Sequence, residues 1–237
     1  MDIIILAGGF GTRLINEING LPKCLAPINN KPFLFYLLEY LKKFKFDQYI
    51  FALGFRSELV IDYLNENFSD LDLIYSVEEN PLGTGGAIKA ALNFANTSQV
   101  IALNGDSFFN IDYNQFIEFH KTKESKFSIA LAEIKDNDRY GGVELSDDVI
   151  TSFKEKQSRS DNVKTTLINS GIYLIDSAYF SKLSMPESFS IEKDFFENND
   201  KLIQIHGKLF HNKFIDIGVP NDYHAFPEFI NNIDISL

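Results

Sequence analysis

The chain begins MDIIILAGGFGTRL, an apolar run that breaks into three glycines, a threonine and an arginine. A buried strand ending in glycine before a cation turns main-chain amides toward an anion. Glycine lets the backbone come close and adopt positive φ, so the amides can meet phosphate oxygens. The pattern alone admits several nucleotide-binding loops, and two can be excluded. The dinucleotide fingerprint needs a glycine at position 14, where Leu14 stands, and an acidic residue ending the second strand, where Leu53–Gly54–Phe55 offers none. The Walker loop needs a closing Gly-Lys-Ser/Thr, and none follows. The chain holds no plausible Ser–His–Asp or Cys–His set, and His120, His206, His211 and His224 lack ligand spacing. Asp106 in NGDSF and Asp216 in FIDIG each end a predicted strand, where their carboxylates could converge. Hard oxygen ligands together with phosphate oxygens suit Mg²⁺, which takes one or two protein carboxylates. Read alone, Asp106 as a helix cap and Asp216 as the partner of a lysine remain open.

These residues sit in a chain of 237 residues, 45% hydrophobic and 23% charged, which is enough to bury a sizeable core. The balance of 33 acidic to 22 basic residues leaves a net charge of -11. That argues against nucleic acid or an anionic membrane as partner, both of which need a basic face. A site for anionic substrates must therefore concentrate its cations locally or recruit a metal. Cys24 is the single cysteine, so no intramolecular disulfide and no cysteine-based metal cluster can form. The apolar stretch Ile3 to Ala7 is too short to cross a membrane and lacks the charged start and long core of a signal peptide, so a cytoplasmic location is expected.

In the first half, Ile3–Leu6, Tyr49–Leu53, Leu73–Val77 and Val100–Leu103 read as buried strands. Lys31–Phe44, Ser57–Asn67 and Gly83–Ala95 read as helices between them, the second capped by Ser57. This alternation predicts an α/β fold with a Rossmann-like, mixed but mostly parallel sheet flanked by helices, and ligands at the carboxyl ends of its strands. After about residue 125, Phe127–Glu133, Gly142–Leu145, Val149–Phe153 and Thr166–Ile175 read as strands with short connections. They suggest a small antiparallel subregion laid over the ligand edge. Lys156–Lys164 is polar and reads as a loop; Lys213–Ile217 and a helix after Pro220 close the fold. One domain is expected over 1–237, with 1–125 mainly binding nucleotide, 126–212 mainly binding sugar phosphate, and 213–237 as closing strand and helix.

LAGGFGTRL followed by LPKCLAPINNKP resembles the sugar-nucleotide pyrophosphorylases, the nucleotidyltransferases that activate sugar 1-phosphates. ENPLGTGGAI, NGDSF, FKEK with INSGIYLID, and FIDIGVP agree in the same order, so the resemblance runs from residue 3 to about 226. GTGGAI and the short chain look most like guanylyltransferases acting on D-glycero-α-D-manno-heptose 1-phosphate. The resemblance implies attack of a sugar-1-phosphate oxygen on the α-phosphorus of a nucleoside triphosphate, GTP favoured, with release of pyrophosphate. Mannose 1-phosphate with GTP, a hexose 1-phosphate with UTP, and a non-catalytic nucleotide-sugar sensor are the competing readings. Homo-oligomers are possible.

The resemblance also implies the site. Arg13 and Lys23 would be catalytic, Arg13 on the β- and γ-phosphates and Lys23 near the α-phosphate and the incoming phosphate. Leu6, Ala7, Gly8, Gly9, Gly11, Thr12, Gly83, Thr84, Gly85, Asn104 and Gly105 would bind the nucleotide, Gly85 on the base side. Gly142, Glu155, Lys156 and Asn169 would bind the sugar phosphate, with Tyr140 as wall. Asp106 and Asp216 would hold Mg²⁺. Cys24 departs from the proline or alanine common there in the family and reads as a small packing residue.

Overall fold

The structure is a computed structural model and describes residues 1–134, 142–154, 165–197 and 204–234. Ile3, Ile4 and Ile5 are β-branched, which favours extended backbone, and they form the middle of β1 (Asp2–Ala7). Side chains alternate along a strand, so Ile3 and Ile5 enter one apolar layer and Ile4 the opposite one. A strand buried on both faces has to lie inside a sheet, and β1 does, parallel to strands on either side.

A short clip, β2 (Pro27–Ile28) and β3 (Lys31–Pro32), turns through Asn29 and Asn30, both at positive φ, which asparagine tolerates. Helix α1 (Phe33–Leu41) follows. It starts two residues later than expected because Pro32 is extended. Next come β4 (Tyr49–Leu53), α2 (Ser57–Asn67), β5 (Leu73–Val77), α3 (Gly83–Ala91) and β6 (Gln99–Asn104). Ser57 does not cap α2. The capping position is Arg56, at φ 50° and without a side-chain bond, because the tight exit from β4 requires left-handed backbone there. Then follow β7 (Ser107–Phe109), α4 (Tyr113–Thr122), β8 (Phe127–Ile134), β9 (Gly142–Ser146), β10 (Val149–Lys154), β11 (Thr166–Asp176) and α5 (Ser177–Ser181). A π-helical turn spans Ile191–Phe196, and β12 (Ile205–Phe210), β13 (Phe214–Asp216) and α6 (Pro220–Asn231) end the described fold. No helix among the described residues is long and apolar enough to cross a membrane.

Nine strands form one sheet in the order β5-β4-β1-β6-β11-β8-β12-β10-β9. This corrects the expectation of a mostly parallel sheet with a small antiparallel addition. Strands β5, β4, β1 and β6 are parallel, as is the pair β8 and β12, but β11 pairs antiparallel with both β6 and β8. Antiparallel pairings outnumber parallel ones, five to four. The later strands continue the first sheet because Ile172 and Leu174 on one face of β11 and Tyr173 and Ile175 on the other must both be buried. An interior place paired to the open edge of β6, between the two apolar layers, allows this. Strand β12 escapes sequence reading because His206, Gly207 and Lys208 interrupt its apolar pattern. Phe33, Phe116 and Phe226 fill the layer of Ile3 and Ile5; Phe127, Tyr173, Phe180 and Phe195 fill that of Ile4.

A strap, residues 187–191, crosses the start of α3. The Phe189 carbonyl accepts from Gly85 N (3.0 Å) and Gly86 N (3.3 Å), and Phe189 N donates to Leu82 O (2.9 Å). A Cβ on Gly85 would fall 2.1 Å from the Phe189 ring, so only glycine admits this contact. Two outcomes are expected. Gly85→Ala lowers stability by about 1–3 kcal/mol in urea denaturation, and Phe189→Leu in the same chain recovers part of the loss. His120 is fully buried with Nδ1 2.8 Å from Ser128 Oγ, and burial holds its pKa down at about 4, with Asp176 opposing and His206 and Lys126 adding to the effect. The folded state thus refuses a proton that the unfolded chain takes below about 6.5. Stability therefore falls from about pH 6.5 to 4 by up to about 3 kcal/mol, and His120→Asn flattens that part of the denaturation profile.

Candidate active site

The two aspartates meet through a short ladder. Strand β13 pairs antiparallel with β7, placing Asp216 opposite Ser107, and Ile217 N donates to Asp106 O at 3.0 Å. Carboxylates far apart in sequence, Asp106 and Asp216, are thereby neighbours. Burial raises the pKa of Asp216 above the ordinary carboxylate value and the charge of Asp106 adds to it; the Gly218 amide, 2.7 Å from Oδ1, and the cations Lys23 and Arg13 pull the other way.

Lys23 opens a single 3₁₀ turn whose next residues, Cys24 and Leu25, are buried and anchor it. Its Nζ donates to Asp106 Oδ2 at 2.5 Å, and the pair is mostly screened from solvent. The cation expected at the phosphates is thus bonded to a carboxylate expected at the metal. Cys24 is inert as a nucleophile: burial, then the charge of Asp106, push its thiol up to about 12. Arg13 is exposed and flanks Gly218 with Asp216, since a Cβ there would lie 3.4 Å from Arg13 Nη2 and 2.9 Å from Asp216 Oδ1. Two cations and two carboxylates therefore gather at one place, within a chain of net charge -11.

A cavity of about 290 Å³ opens beside this cluster at the carboxyl ends of β1 and β6, as expected for an open α/β sheet. Leu6, Gly8, Gly9, Gly83, Thr84, Asn104 and Asp106 line it. A recess of about 40 Å³ lined by Ala7, Lys23 and Gly105 shares Leu6, Gly9 and Asp106 with it. Among the described residues, the backbone N–H groups of Gly9, Phe10, Gly11, Thr12 and Arg13 have no hydrogen-bond partner, the condition for an anion cradle. Gly11 packs against the Lys23 side chain and Thr12 is exposed; neither lines the cavity. Gly85 does not line it either, because its amide and its empty Cβ side are both used by Phe189.

Among the residues expected at the sugar phosphate, Gly142 lies in β9 opposite Lys154 and Ile168. Asn169 lies in β11 at a bulge completed by Ser170 and Gly171. Gly171 has φ 74°, and a Cβ there would stand 2.2 Å from Asn104 Nδ2, so the bulge presses β11 onto a cavity residue. Glu155, Lys156, Tyr140 and the segment Lys156–Lys164 lie outside the described residues.

Three residues escape sequence reasoning. Glu78, directly after β5, lines the cavity; its Oε2 accepts from Leu82 N at 3.0 Å. The dinucleotide fingerprint asks for an acidic residue after the second strand of the chain, whereas Glu78 follows the third long one. Phe10 forms a wall of the cavity and pairs with Phe55 at 5.3 Å between centroids. Glu192, in the π-helical turn, bonds Thr84; nothing in SIEKDFF announces it.

Known proteins share this architecture. The profile of the family described as Nucleotidyl transferase matches residues 2–232. A D-glycero-alpha-D-manno-heptose 1-phosphate guanylyltransferase of Campylobacter jejuni is 43% identical over 98% of this chain and all of its own length. A protein of the same description from Aneurinibacillus thermoaerophilus is 39% identical over 94% of this chain and 95% of its own. The crystal structure of HddC from Yersinia pseudotuberculosis complexed with GMP-PN superposes with a TM-score of 0.85 at 33% identity, covering 96% of this chain and 98% of that one. The chain belongs to the nucleotidyl transferase family.

Proposed function

We propose that the protein transfers a guanylyl group from GTP to D-glycero-α-D-manno-heptose 1-phosphate, giving GDP-heptose for surface polysaccharide and releasing pyrophosphate. The observation that carries this is the meeting of Arg13, Lys23, Asp106 and Asp216 at the mouth of a cavity bordered by unpaired loop amides. The relatives named as heptose 1-phosphate guanylyltransferases support the choice of substrates. One domain spanning the chain and a cytoplasmic setting fit the same reading.

The sugar phosphate is largely dianionic near neutral pH, since its second pKa is about 6, so its oxygen attacks the α-phosphorus without a protein base. The bond from α-phosphorus to the bridging oxygen breaks, and pyrophosphate carries the charge away. What remains for the protein is alignment of two anions and compensation of their repulsion. The loop amides of Gly9 to Arg13 meet the triphosphate, Arg13 follows charge onto the leaving group, and Lys23 stands between the reacting phosphates. Asp106 and Asp216 would hold the metal. A hard pair of carboxylates, one of them pushed toward its protonated form by burial, fits a small divalent cation such as Mg²⁺, because the cation relieves their mutual repulsion. When bound it would supply charge neutralisation across the phosphates. Gly142 and Asn169, with Glu155 and Lys156, would receive the sugar phosphate.

Glu78 supports guanine. A carboxylate only accepts hydrogen bonds, and guanine alone among the four bases presents two adjacent donors, N1–H and the 2-amino group, on its pairing edge. Uracil presents one donor between two acceptors, which a carboxylate repels.

Pyrophosphate release with Mg²⁺ across four nucleoside triphosphates and a panel of sugar 1-phosphates tests the reaction. GTP with the heptose phosphate is expected to be fastest; UTP preference removes guanine, mannose 1-phosphate preference removes heptose, and silence with every pair favours a sensor. Arg13→Ala is expected to lower kcat by about 100-fold or more while leaving the denaturation midpoint unchanged, because its side chain is exposed. Glu78→Gln is expected to cut the kcat/KM preference for GTP over UTP by about tenfold or more.

A further inference from the structure

Asn169, a sugar-phosphate residue in the proposed reaction, is held at both ends of its amide. Its Oδ1 accepts from Gly171 N at 2.9 Å and its Nδ2 donates to Tyr173 Oη at 2.9 Å. The Gly171 amide can only donate, which identifies the oxygen end of the side-chain amide. Tyr173 is fully buried, and burial followed by the charge of Glu192 raises its pKa well above the ordinary phenol value. Its single proton points at Glu192 Oε1, 3.3 Å away, leaving the phenol oxygen to accept from Asn169. The other carboxylate oxygen of Glu192 accepts from Thr84 Oγ1 and from Ser190 Oγ, each at 2.8 Å. Thr84 Oγ1 in turn accepts from Ile191 N at 2.9 Å. The donors from Asn169 through Tyr173, and those from Thr84 and Ser190, all run toward that carboxylate.

The backbone around Glu192 is shaped for this. The turn Ile191–Phe196 is π-helical, with Glu197 N bonded to Glu192 O at 3.1 Å, a rare geometry that is frequent at functional sites. Its wide turn buries Phe195 and Phe196 in the core, while Glu192 stays half-buried between the two halves of the site. Phe196 stacks at 4.7 Å on Phe153, two residues before Glu155.

We propose that Glu192 is a positioning residue for the transfer. Its carboxylate holds Thr84 of the nucleotide loop with one oxygen and Tyr173 with the other, so the amide of Asn169 is aimed at the sugar phosphate in register with the nucleotide. Neither half can shift without breaking a bond to the same group. The proposal rests on the function proposed for Asn169 and Thr84, and it adds a residue that touches neither substrate.

Two nearly isosteric variants test it. Tyr173→Phe removes one oxygen and cuts the acceptor arm alone. Glu192→Gln keeps the volume but removes the charge that both arms share and puts an amino group against one of the two sets of donors. One arm is thereby broken and the other loses its charge-assisted strength. With GTP and D-glycero-α-D-manno-heptose 1-phosphate, Tyr173→Phe is expected to raise KM for the sugar phosphate by about tenfold and leave KM for GTP within about twofold. Glu192→Gln is expected to raise both by at least about threefold, with each variant melting as a folded protein. Equal shifts of both KM values in Tyr173→Phe, or no shift in either variant, would overturn the proposal. GTP affinity is also read by titration calorimetry without sugar phosphate: it should weaken in Glu192→Gln and hold in Tyr173→Phe. If the wild type is silent with every sugar 1-phosphate, the proposed reaction is rejected, and this calorimetric contrast alone decides for or against the tie through Glu192.

Discussion

The candidate site depends on a ladder of three residue pairs. Strand β13 lies against β7 with Asp216 opposite Ser107, and the amide of Ile217 is bonded to the carbonyl of Asp106. Backbone bonds of this kind are insensitive to side-chain identity, so they can hold two carboxylates together against their own repulsion. The cost appears in the raised pKa of Asp216, and Lys23 and Arg13 offset it. Loss of that ladder would release Asp216 and leave Lys23 paired with Asp106 alone.

The sheet extends the same logic. Its parallel half places β1 and β6 side by side, so the open loop after β1 and the aspartate after β6 end at one edge. Its antiparallel half is attached through β11, whose bulge at Ser170 and Gly171 presses on Asn104 and turns Asn169 toward Tyr173. An irregularity in a ladder usually weakens it; here it brings β11 against Asn104 at the cavity and Asn169 against Tyr173. The strap at Phe189 makes the second joint, closing the amides at the start of α3 and leading into the turn that carries Glu192. The electrostatics are equally local. In a chain of strongly negative net charge, two cations are gathered at two carboxylates.

Much of this is legible in the residues themselves. The apolar run Ile3–Leu6 lies within β1, and the amide-rich loop after it is readable because glycines before a cation free the backbone of side-chain constraint. The aspartates are identifiable as strand-end carboxylates. The sheet's true composition is not, since the pattern of Thr166–Ile175 says that the strand is buried but not which neighbour covers it. Gly85 reads as a contact to the base, yet its lack of a side chain is explained by the ring of Phe189, about a hundred residues away. Glu78 and Glu192 carry no signal because a single glutamate in a polar stretch is indistinguishable from a solvated one.

The sequence by itself determined the local chemistry: a flexible amide-rich loop, two cations, two hard carboxylates, strands too apolar to face water, and a family likeness carried by the order of its motifs. Those follow from residue types and short spacings, which act within a few bonds. Only the tertiary structure decided that Lys23 is bonded to Asp106, that Asp216 is buried beside it, and that Glu192 joins Thr84 to Tyr173. Such contacts depend on strand order and register, and these are selected by burying two faces of one sheet at once, a condition that no local stretch of the chain can express.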